Sequence, residues 1–291
     1  MSSYTKRQFE LSVDGSVLIA VTNGRQFKCT FEILHDFGGS TSYADIAIYN
    51  LKAETANKAN LKGKSISFKA GYEDSIDNIF TGTIKNVLYE RQGPSTITRL
   101  ICRGGKLTED QTQINETLGR DTTIVQLIRA CVTAIGYPIV MDDSQFADID
   151  PYVYGYQLSG DPKTYLEKLS KAHGFNYVLE NDRMIVLRKG YTRQGDTHIV
   201  SQFTGMEGIP EITEIGVDVT TRLNPKIRIG GKFRVESKLA TFNFSNLYFV
   251  DIPESAGQGD HKIFKLAYSG DSKGDAWSTK ITGYKELTPS S

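Results

Sequence analysis

Apolar and polar residues alternate with a period of two along the first third of the chain. The alternation is clearest over residues 27–33, 44–48 and 65–70, where every second side chain is apolar. Successive side chains of a strand point to opposite faces, so this pattern predicts strands with one buried face. Glycines between the runs supply turns. We therefore predict an antiparallel β domain over residues 1–105, interrupted by one short helix around residues 52–60.

The period changes in the middle of the chain. Apolar residues recur at helical spacing over residues 124–135, behind Asp121 as a candidate N-cap. A second helix is predicted to begin at Asp161-Pro162, a capping residue followed by proline at the first helical position. A hairpin through Asn181-Asp182 follows it. We predict a small α+β domain over residues 106–197.

The strand pattern returns in the last third, which we predict to be a second β domain over residues 198–291. The fold class is thus mainly β with an α+β middle segment. No low-complexity tract separates the parts, so a rigid, packed assembly is expected. The predicted strands of the last domain cover residues 212–219, 226–235, 247–252, 261–268 and 277–284.

The charge balance narrows the range of functions. The chain has 34 Lys and Arg against 34 Asp and Glu, a formal net charge of zero. This balance argues against a dedicated nucleic-acid binder and against electrostatic capture by an anionic membrane. The apolar run at residues 17–21 is too short for a membrane span, so we expect no membrane insertion and residence in a cytoplasm. Three widely spaced cysteines predict buried, reduced thiols: Cys29, Cys102 and Cys131.

No catalytic constellation is found. Residues 270–274 match G-x-S-x-G, but that elbow needs a helix after the serine and a histidine further along the chain. Here strands are predicted on both sides, and no histidine follows His261. We interpret the motif as the loop of a β-hairpin and predict that the protein is not an enzyme.

Metal and cofactor motifs are also incomplete. Gly63-Lys64-Ser65 lacks the earlier glycine of a phosphate-binding loop, which would fall at Lys58. The acidic loop that begins at Asp142 has Ala147 where a calcium loop needs glycine. The four histidines show no ligand spacing. We predict no metal and no cofactor.

A glycan-binding role is the alternative. Tyr152, Tyr154 and Tyr156 alternate on one face of an extended run and could stack on sugar rings. Gly160-Asp161 followed by a helix is similar to the first half of a LysM peptidoglycan-binding module, although a hairpin stands where its second half would be helical. The alternative function is therefore a cell-wall-directed module, either peptidoglycan-binding or hydrolytic.

A series of short motifs runs along nearly the whole chain. The motifs are Ile48-Tyr49-Asn50-Leu51, Ala70-Gly71-Tyr72, residues 79–84, Cys102-Arg103-Gly104-Gly105, Leu223-Asn224-Pro225, Ile229-Gly230-Gly231, residues 268–271 and Trp277-Ser278-Thr279. In order and spacing the series resembles the baseplate hub proteins of contractile-tailed bacteriophages, the late-control-protein-D group, to which the hubs of type VI secretion spikes are related. Two departures occur: Arg103-Gly104 replaces a more usual acidic residue, and Gly231-Lys232 replaces Gly-Asp.

The resemblance implies two β-barrel domains similar to a tail-tube subunit, with the α+β domain between or beside them. It implies a homotrimer that adapts the hexameric tail tube to a trimeric central spike, in contact with other baseplate proteins. A central channel would pass DNA and tape-measure protein. The protein would belong to the virion, in the tail baseplate, after assembly in the host cytoplasm.

The resemblance also nominates residues. The loop Gly38-Gly39-Ser40 is the candidate contact to the neighbouring ring. The glycines of the motifs are expected to allow close backbone approaches, and the large aromatic residues are expected to be packing anchors. These structural positions are Tyr49, Gly71, Tyr72, Phe80, Gly82 and Trp277.

Overall fold

The computed structural model describes residues 7–20, 27–37, 41–57, 61–73, 75–106, 112–213, 216–237, 239–243 and 259–285. The first third contains β1 (Arg7–Val13), β2 (Ser16–Ala20), β3 (Cys29–Asp36), β4 (Tyr43–Tyr49), α1 (Ala53–Ala56), β5 (Ser65–Tyr72), β6 (Ser75–Gln92) and β7 (Ser95–Arg103). The loop Gly38-Gly39-Ser40 and the predicted strand at 247–252 lie outside the described residues.

The middle and last thirds continue the series. The middle contains β8 (Ile114–Leu118), α2 (Ile124–Ile135), β9 (Ile139–Val140), a 3₁₀ turn (Asp143–Phe146), β10 (Tyr156–Gly160), α3 (Pro162–His173), β11 (Phe175–Glu180) and β12 (Arg183–Arg188). The last third contains β13 (His198–Ser201), β14 (Met206–Thr213), β15 (Gly216–Arg222), β16 (Lys232–Glu236), β17 (Thr241–Asn243), β18 (Gly259–Asp271) and β19 (Trp277–Lys285). The prediction of a mainly β fold with an α+β middle is confirmed.

One large sheet joins the two β-rich parts. Its strand order is β17-β14-β15-β19-β18-β3-β4-β7-β6-β5-β1-β2, with β16 and β13 branching from β18. The joint is the antiparallel pair β18–β3, in which Tyr268 lies opposite Ile33. The order is open at both ends within the described residues, so closure of either part into a barrel stays a prediction, as do the domain boundaries.

The two long helices end where local signals place them. Asp161 caps α3 by accepting from the amides of Lys163 and Thr164, and Gly174 ends the helix in the left-handed conformation. The predicted cap of α2 was wrong. Thr123, not Asp121, is the N-cap, because Thr123 and Gln126 form a reciprocal capping box.

Two predicted strands of the last third need correction. The run 212–219 crosses the end of β14 and the start of β15, which pair with each other. The run 226–235 forms a strand only from Lys232. Before that point the chain turns, because the Gly231 amide donates to the Arg228 carbonyl and Gly230 has a φ of +77°.

The core is continuous across the two β-rich parts. Phe9 and Phe68 of the first part belong to the same buried cluster as Phe233 and Trp277 of the last. The helices α2 and α3 pack in a separate cluster of the α+β segment. Along the described stretches, no helix is long and apolar enough to cross a membrane.

Candidate functional site

The large sheet presents one polar face along β15, β19, β18, β3, β4 and β7. In β3 the residues alternate strictly, so that Phe31 and Ile33 are buried while Glu32 is exposed. The neighbouring strands β4 and β19 alternate in the same way. One side of the sheet therefore closes the core, and the other side is a broad polar surface that runs without interruption across the β18–β3 joint.

Several charged side chains on this polar face form ion pairs across neighbouring strands. Arg99 of β7 donates from Nε to Asp45 Oδ1 of β4 at 2.8 Å, and its guanidinium also approaches Glu90 at 3.7 Å. Lys280 of β19 pairs with Asp218 of β15 at 3.2 Å. Such half-exposed pairs add little stability, but they cancel local fields. The face therefore carries charged groups of both signs, some of them held in ion pairs.

An open cleft of about 650 Å³ lies on the polar face. Its floor is formed by β18, β3, β4 and β7, and the outer end of the β6–β7 hairpin forms a wall with Glu90 and Arg91. Polar side chains dominate its lining, including Glu32, Asp45 and Arg99. This composition is typical of a solvated surface and unlike the apolar pockets that enclose small-molecule ligands.

The motif glycines Gly71 and Gly82 lie where the backbone of a neighbouring segment approaches closely. A Cβ at Gly71 would lie 2.0 Å from the Ser75 carbonyl oxygen, and a Cβ at Gly82 would lie 2.2 Å from the Arg103 carbonyl oxygen. Neither position has a positive φ in the described backbone, so contact distance rather than conformation demands glycine here. Both residues support strand pairing in the first part of the sheet.

The motif aromatics divide into two groups. Tyr72, Phe80 and Trp277 are buried in the main cluster, where Trp277 meets Phe31 edge to face at 5.3 Å between ring centroids. Tyr49 is half-buried on the polar face, with the Lys28 ammonium 4.6 Å from its ring centroid. The structure therefore brings three of the four into the core and leaves Tyr49 at the surface.

A polar junction joins the α+β segment to both β-rich parts. The His35 ring, buried in β3, contacts the Ser42 hydroxyl at 2.6 Å from Nδ1 and donates from Nε2 to the Ile79 carbonyl at 2.9 Å. Ser42 in turn donates to the Leu179 carbonyl of β11 at 2.7 Å. Burial lowers the pKa of His35. This chain of contacts fixes β11 against the β3–β4 hairpin.

A buried carboxylate holds the last third to the same junction. Glu180, at the end of β11, accepts from Arg193 at 2.9 Å and from the Ile229 amide at 3.4 Å. Arg228 donates to the Asn78 carbonyl at 2.8 Å and to Asp77 at 2.7 Å. All three parts of the chain therefore meet here, which agrees with the expectation of a rigid assembly.

Sequence reasoning missed the residues of this junction and also missed Arg7. The Arg7 guanidinium donates to the carbonyls of Asp271 at 3.0 Å and Asp275 at 2.9 Å, and to that of Gly274. It also lies 5.6 Å from the centre of the Trp277 ring. No local pattern signals such contacts, since they join residues at opposite ends of the chain.

The rejected catalytic motif behaves as a loop. Strands β18 and β19 flank it, and Ser272 contacts the chain near β3 by accepting from the Cys29 amide and donating to the Phe27 carbonyl. In the residues that the structure describes, no group of three or more His, Cys, Asp or Glu side chains could hold a metal ion. The hairpin interpretation of residues 270–274 is confirmed.

The three candidate glycan-stacking tyrosines do not share a surface. Tyr152 and Tyr156 pack against each other and against the core of the α+β segment, with ring centroids 5.1 Å apart. Tyr154 is 93% exposed at the tip of a turn. A stacking platform made of all three rings is therefore not formed.

Comparison with known proteins decides the family. The model of the family described as "Baseplate hub gp41" matches residues 8–250, which is most of the chain. The chain belongs to this baseplate hub family. The resemblance to phage baseplate hubs is thereby confirmed, and the protein is a component of a phage tail baseplate. No curated protein sequence matches the chain significantly.

Solved structures show the same fold at low sequence identity. A tail protein from Neisseria meningitidis has a TM-score of 0.61 and 11% identity, with 98% of each chain covered. A 43 kDa tail protein of prophage MuSo2 from Shewanella oneidensis has a TM-score of 0.59 and 11% identity, over 96% of this chain and 98% of that one. An Escherichia coli type VI secretion component, described as structurally similar to the T4 tail proteins gp27 and gp5, has a TM-score of 0.55 and 10% identity, over 94% and 76%.

Proposed function

We propose that this hub protein is a structural adaptor with no catalytic role, which joins the hexameric tail tube to a trimeric central spike. It acts as a homotrimer and surrounds a channel through which DNA and tape-measure protein pass. Its contacts with the tube, the spike and other baseplate proteins form in the host cytoplasm, before the tail is complete.

The polar face of the large sheet is the observation that carries this proposal. A channel wall for a polyanion must be wetted, continuous and weakly charged, because a strongly basic wall would hold DNA and a strongly acidic one would repel it. The face crosses both β-rich parts without a break, and ion pairs such as Arg99–Asp45 and Lys280–Asp218 offset part of its charge. We assign the polar face to the channel lumen.

The fold supports the choice of partners. The similar Escherichia coli protein is described as a type VI secretion component that resembles two T4 tail proteins. A chain of similar fold belongs to a Francisella complex described as PdpA-VgrG, with a TM-score of 0.53 and 7% identity, over 100% of this chain and 60% of that one. We infer that this chain likewise engages tube and spike components, and the loop Gly38-Gly39-Ser40 remains the candidate contact to the adjacent ring.

Electron microscopy of the purified protein, alone and mixed with the tube and spike proteins of the same phage, tests the proposal. The expected particle is a threefold ring with six lobes and an open centre, which binds tube at one end and spike at the other. A particle without a central opening, or one that binds neither partner, would overturn it. The tyrosine platform predicted for the cell-wall alternative is not formed.

A further inference from the structure

A second cleft lies on the α+β segment, beside the short strand β9. Its volume is about 390 Å³, within the range of about 300–1,000 Å³ that is typical of ligand sites. The lining comes from α2, from β9 and the 3₁₀ turn after it, and from β12 and the segment that follows β12. None of the lining residues belongs to the strands of the polar face, so the proposed channel leaves this cleft unexplained.

Gln145 of the 3₁₀ turn lines the cleft and is buried, with 4% of its surface exposed. Its Oε1 accepts from the Arg188 amide of β12 at 3.2 Å, which fixes the orientation of the side-chain amide, because an NH₂ group cannot accept a hydrogen bond. Its Nε2 has no acceptor among the described residues and opens on the cleft. Buried donors are nearly always paired, so this one indicates a ligand with an acceptor.

The side-chain amide of Gln145 continues the edge of β9. Strand β9 pairs in parallel with β12, and the last contact places Val140 opposite Ile185. Further along β12, the Arg188 amide donates to Gln145 Oε1 where the next part of a longer β9 would accept. Because Oε1 faces β12, Nε2 is directed away from that amide, toward the outer side of the sheet.

The outer side of β9 is an open edge. The order of the small sheet is β11-β12-β9, and no described strand pairs with β9 on the side away from β12. Such an edge presents N–H and C=O groups that another chain can pair with. Peptides that bind in this way add one strand to the sheet, and pockets beside the edge accept their side chains. Strand β9 and the Gln145 amide together form a place for an added strand.

Other hydrogen-bond donors around the cleft are also only partly engaged. The Arg193 guanidinium donates from Nη1 to Glu180 Oε2 at 2.9 Å, and the Arg129 guanidinium donates from Nη2 to Asp143 Oδ1 at 2.7 Å. Each guanidinium has five N–H groups, and the others have no described acceptor. The cleft therefore offers donors to a ligand from two arginines as well as from Gln145.

The acceptors around the cleft are engaged already. Asp142 Oδ1 accepts from the Ser144 amide at 3.1 Å and from its hydroxyl at 2.7 Å, and Oδ2 accepts from Gln194 Nε2 at 3.0 Å. Asp143 accepts from Arg129. Two arginines and two aspartates line the cleft, so its charges are balanced. A fitting ligand therefore brings hydrogen-bond acceptors without a net charge.

These properties favour an extended peptide over other neutral ligands. Backbone carbonyls are uncharged acceptors, and they recur along a strand that pairs with an edge. Val140, Met141 and Leu187 form an apolar part of the lining against which one side chain of the peptide would pack. No aromatic ring belongs to the described lining, so the cleft has no platform on which a sugar or a nucleobase would stack.

We propose that this cleft binds an extended segment of another protein of the same tail. The segment pairs with the outer edge of β9, and one of its backbone carbonyls accepts from Gln145 Nε2. This inference rests on the proposed contacts with other baseplate proteins and names a site for one of them. It gives the α+β segment the role of a peptide-binding module beside the channel-forming sheet.

Overlapping synthetic peptides that cover the other tail proteins of the same phage are the probes, and fluorescence anisotropy with the full chain measures their binding. At least one peptide should bind saturably. Gln145→Glu should raise its Kd about tenfold or more, because the carboxylate keeps an acceptor for the Arg188 amide but sets an oxygen against the peptide carbonyl. Gln157→Glu, the same change at an exposed position of β10, is the matched control and should leave Kd unchanged.

Hydrogen–deuterium exchange locates the bound peptide. The amides of residues 139–145 should exchange more slowly when the peptide is present, since pairing with an edge protects them. Thermal melts establish that both glutamate variants are folded. No saturable binding by any peptide, protection only outside residues 139–145, or an unchanged Kd in a folded Gln145→Glu variant would each overturn the site.

The outcomes separate this site from the proposed function. A threefold ring that binds tube and spike, together with no peptide binding at β9, would overturn the site and leave the adaptor function intact. A peptide that protects residues 139–145 and depends on Gln145, together with particles that bind neither tube nor spike, would overturn the adaptor function and leave the site intact.

Discussion

Arg7 links β1 to the β18–β19 hairpin, and removing its side chain should lower the free energy of unfolding. Its guanidinium donates to three backbone carbonyls of the β18–β19 loop and lies 5.6 Å from the centre of the Trp277 ring. Hydrogen bonds from a charged donor contribute about 1.5–3 kcal/mol each when buried, and a cation–π contact contributes about 0.5–1 kcal/mol at an exposed site. Because Arg7 is half-buried, each hydrogen bond counts for less than this.

We expect Arg7→Ala to lower the free energy of unfolding by about 2–3 kcal/mol. At about 2–3 °C per kcal/mol for a chain of this size, the melting temperature should fall by about 4–9 °C. Trp277 is the only tryptophan, so its fluorescence in a urea titration reports on this same site. Arg7→Lys should fall between wild type and alanine, because an ammonium cannot reproduce the planar fork of donors.

Arg129→Ala is the matched control for this prediction. Arg129 is an exposed arginine with one ion pair to Asp143 at 2.7 Å, and exposed pairs contribute about 0–1 kcal/mol. If Arg7→Ala loses no more stability than Arg129→Ala, then the contacts of Arg7 with the hairpin do not stabilise the fold and the reasoning fails.

Three further predictions concern packing, thiols and pH. Gly82→Ala should lower the free energy of unfolding by about 2 kcal/mol or more, because the new methyl group would collide with the Arg103 carbonyl. Gly119 has open space around it, so Gly119→Ala is the control and should change the free energy of unfolding by less than about 0.5 kcal/mol. Equal losses for the two variants in thermal melts would contradict this prediction. Burial raises the pKa of the three thiols, Cys29, Cys102 and Cys131, and that of Cys131 to about 12. A thiol reagent should therefore label none of them in the native protein and all three in denaturant. Burial lowers the pKa of His35, His173 and His198 below the ordinary value of about 6.5. As the pH drops below that value, the unfolded chain takes up protons before the folded chain does, so the free energy of unfolding should fall. A melting temperature that rises as the pH is lowered from about 7.5 to about 5.5 would refute this direction.

Local signals in the sequence predicted most of the elements, and their failures have local causes. Asp161 and Gly174 act at the ends of α3 through their own side chain and backbone, so both ends were predictable. The cap of α2 was missed although its signature, Thr123 followed three residues later by Gln126, stands in the sequence. The strand predicted from residue 226 was wrong because the prediction followed the hydrophobic alternation and ignored the turn signals of Pro225 and Gly230.

Long-range contacts were beyond the reach of such signals. The pairing of β18 with β3 joins residues more than two hundred positions apart, and the pairing pattern of the strands does not specify which distant edges meet. The same is true of Glu180, whose burial depends on Arg193 and the Ile229 amide being brought to it by three parts of the fold. The polar face could be expected as the exposed side of each strand, but its continuity across the joint could not.

The ion pairs of the polar face add to the net charge of zero a spatial arrangement that the total alone does not give. A sum of zero is compatible with an acidic channel wall balanced by a basic exterior. The pairs Asp45–Arg99 and Asp218–Lys280 place opposite charges beside each other on the polar face, one pair in each β-rich part. In the proposed homotrimer, each of these two pairs would occur three times. Salt screens the fields of such pairs over about 8–10 Å, so in the proposed channel they would act on DNA only close to the wall.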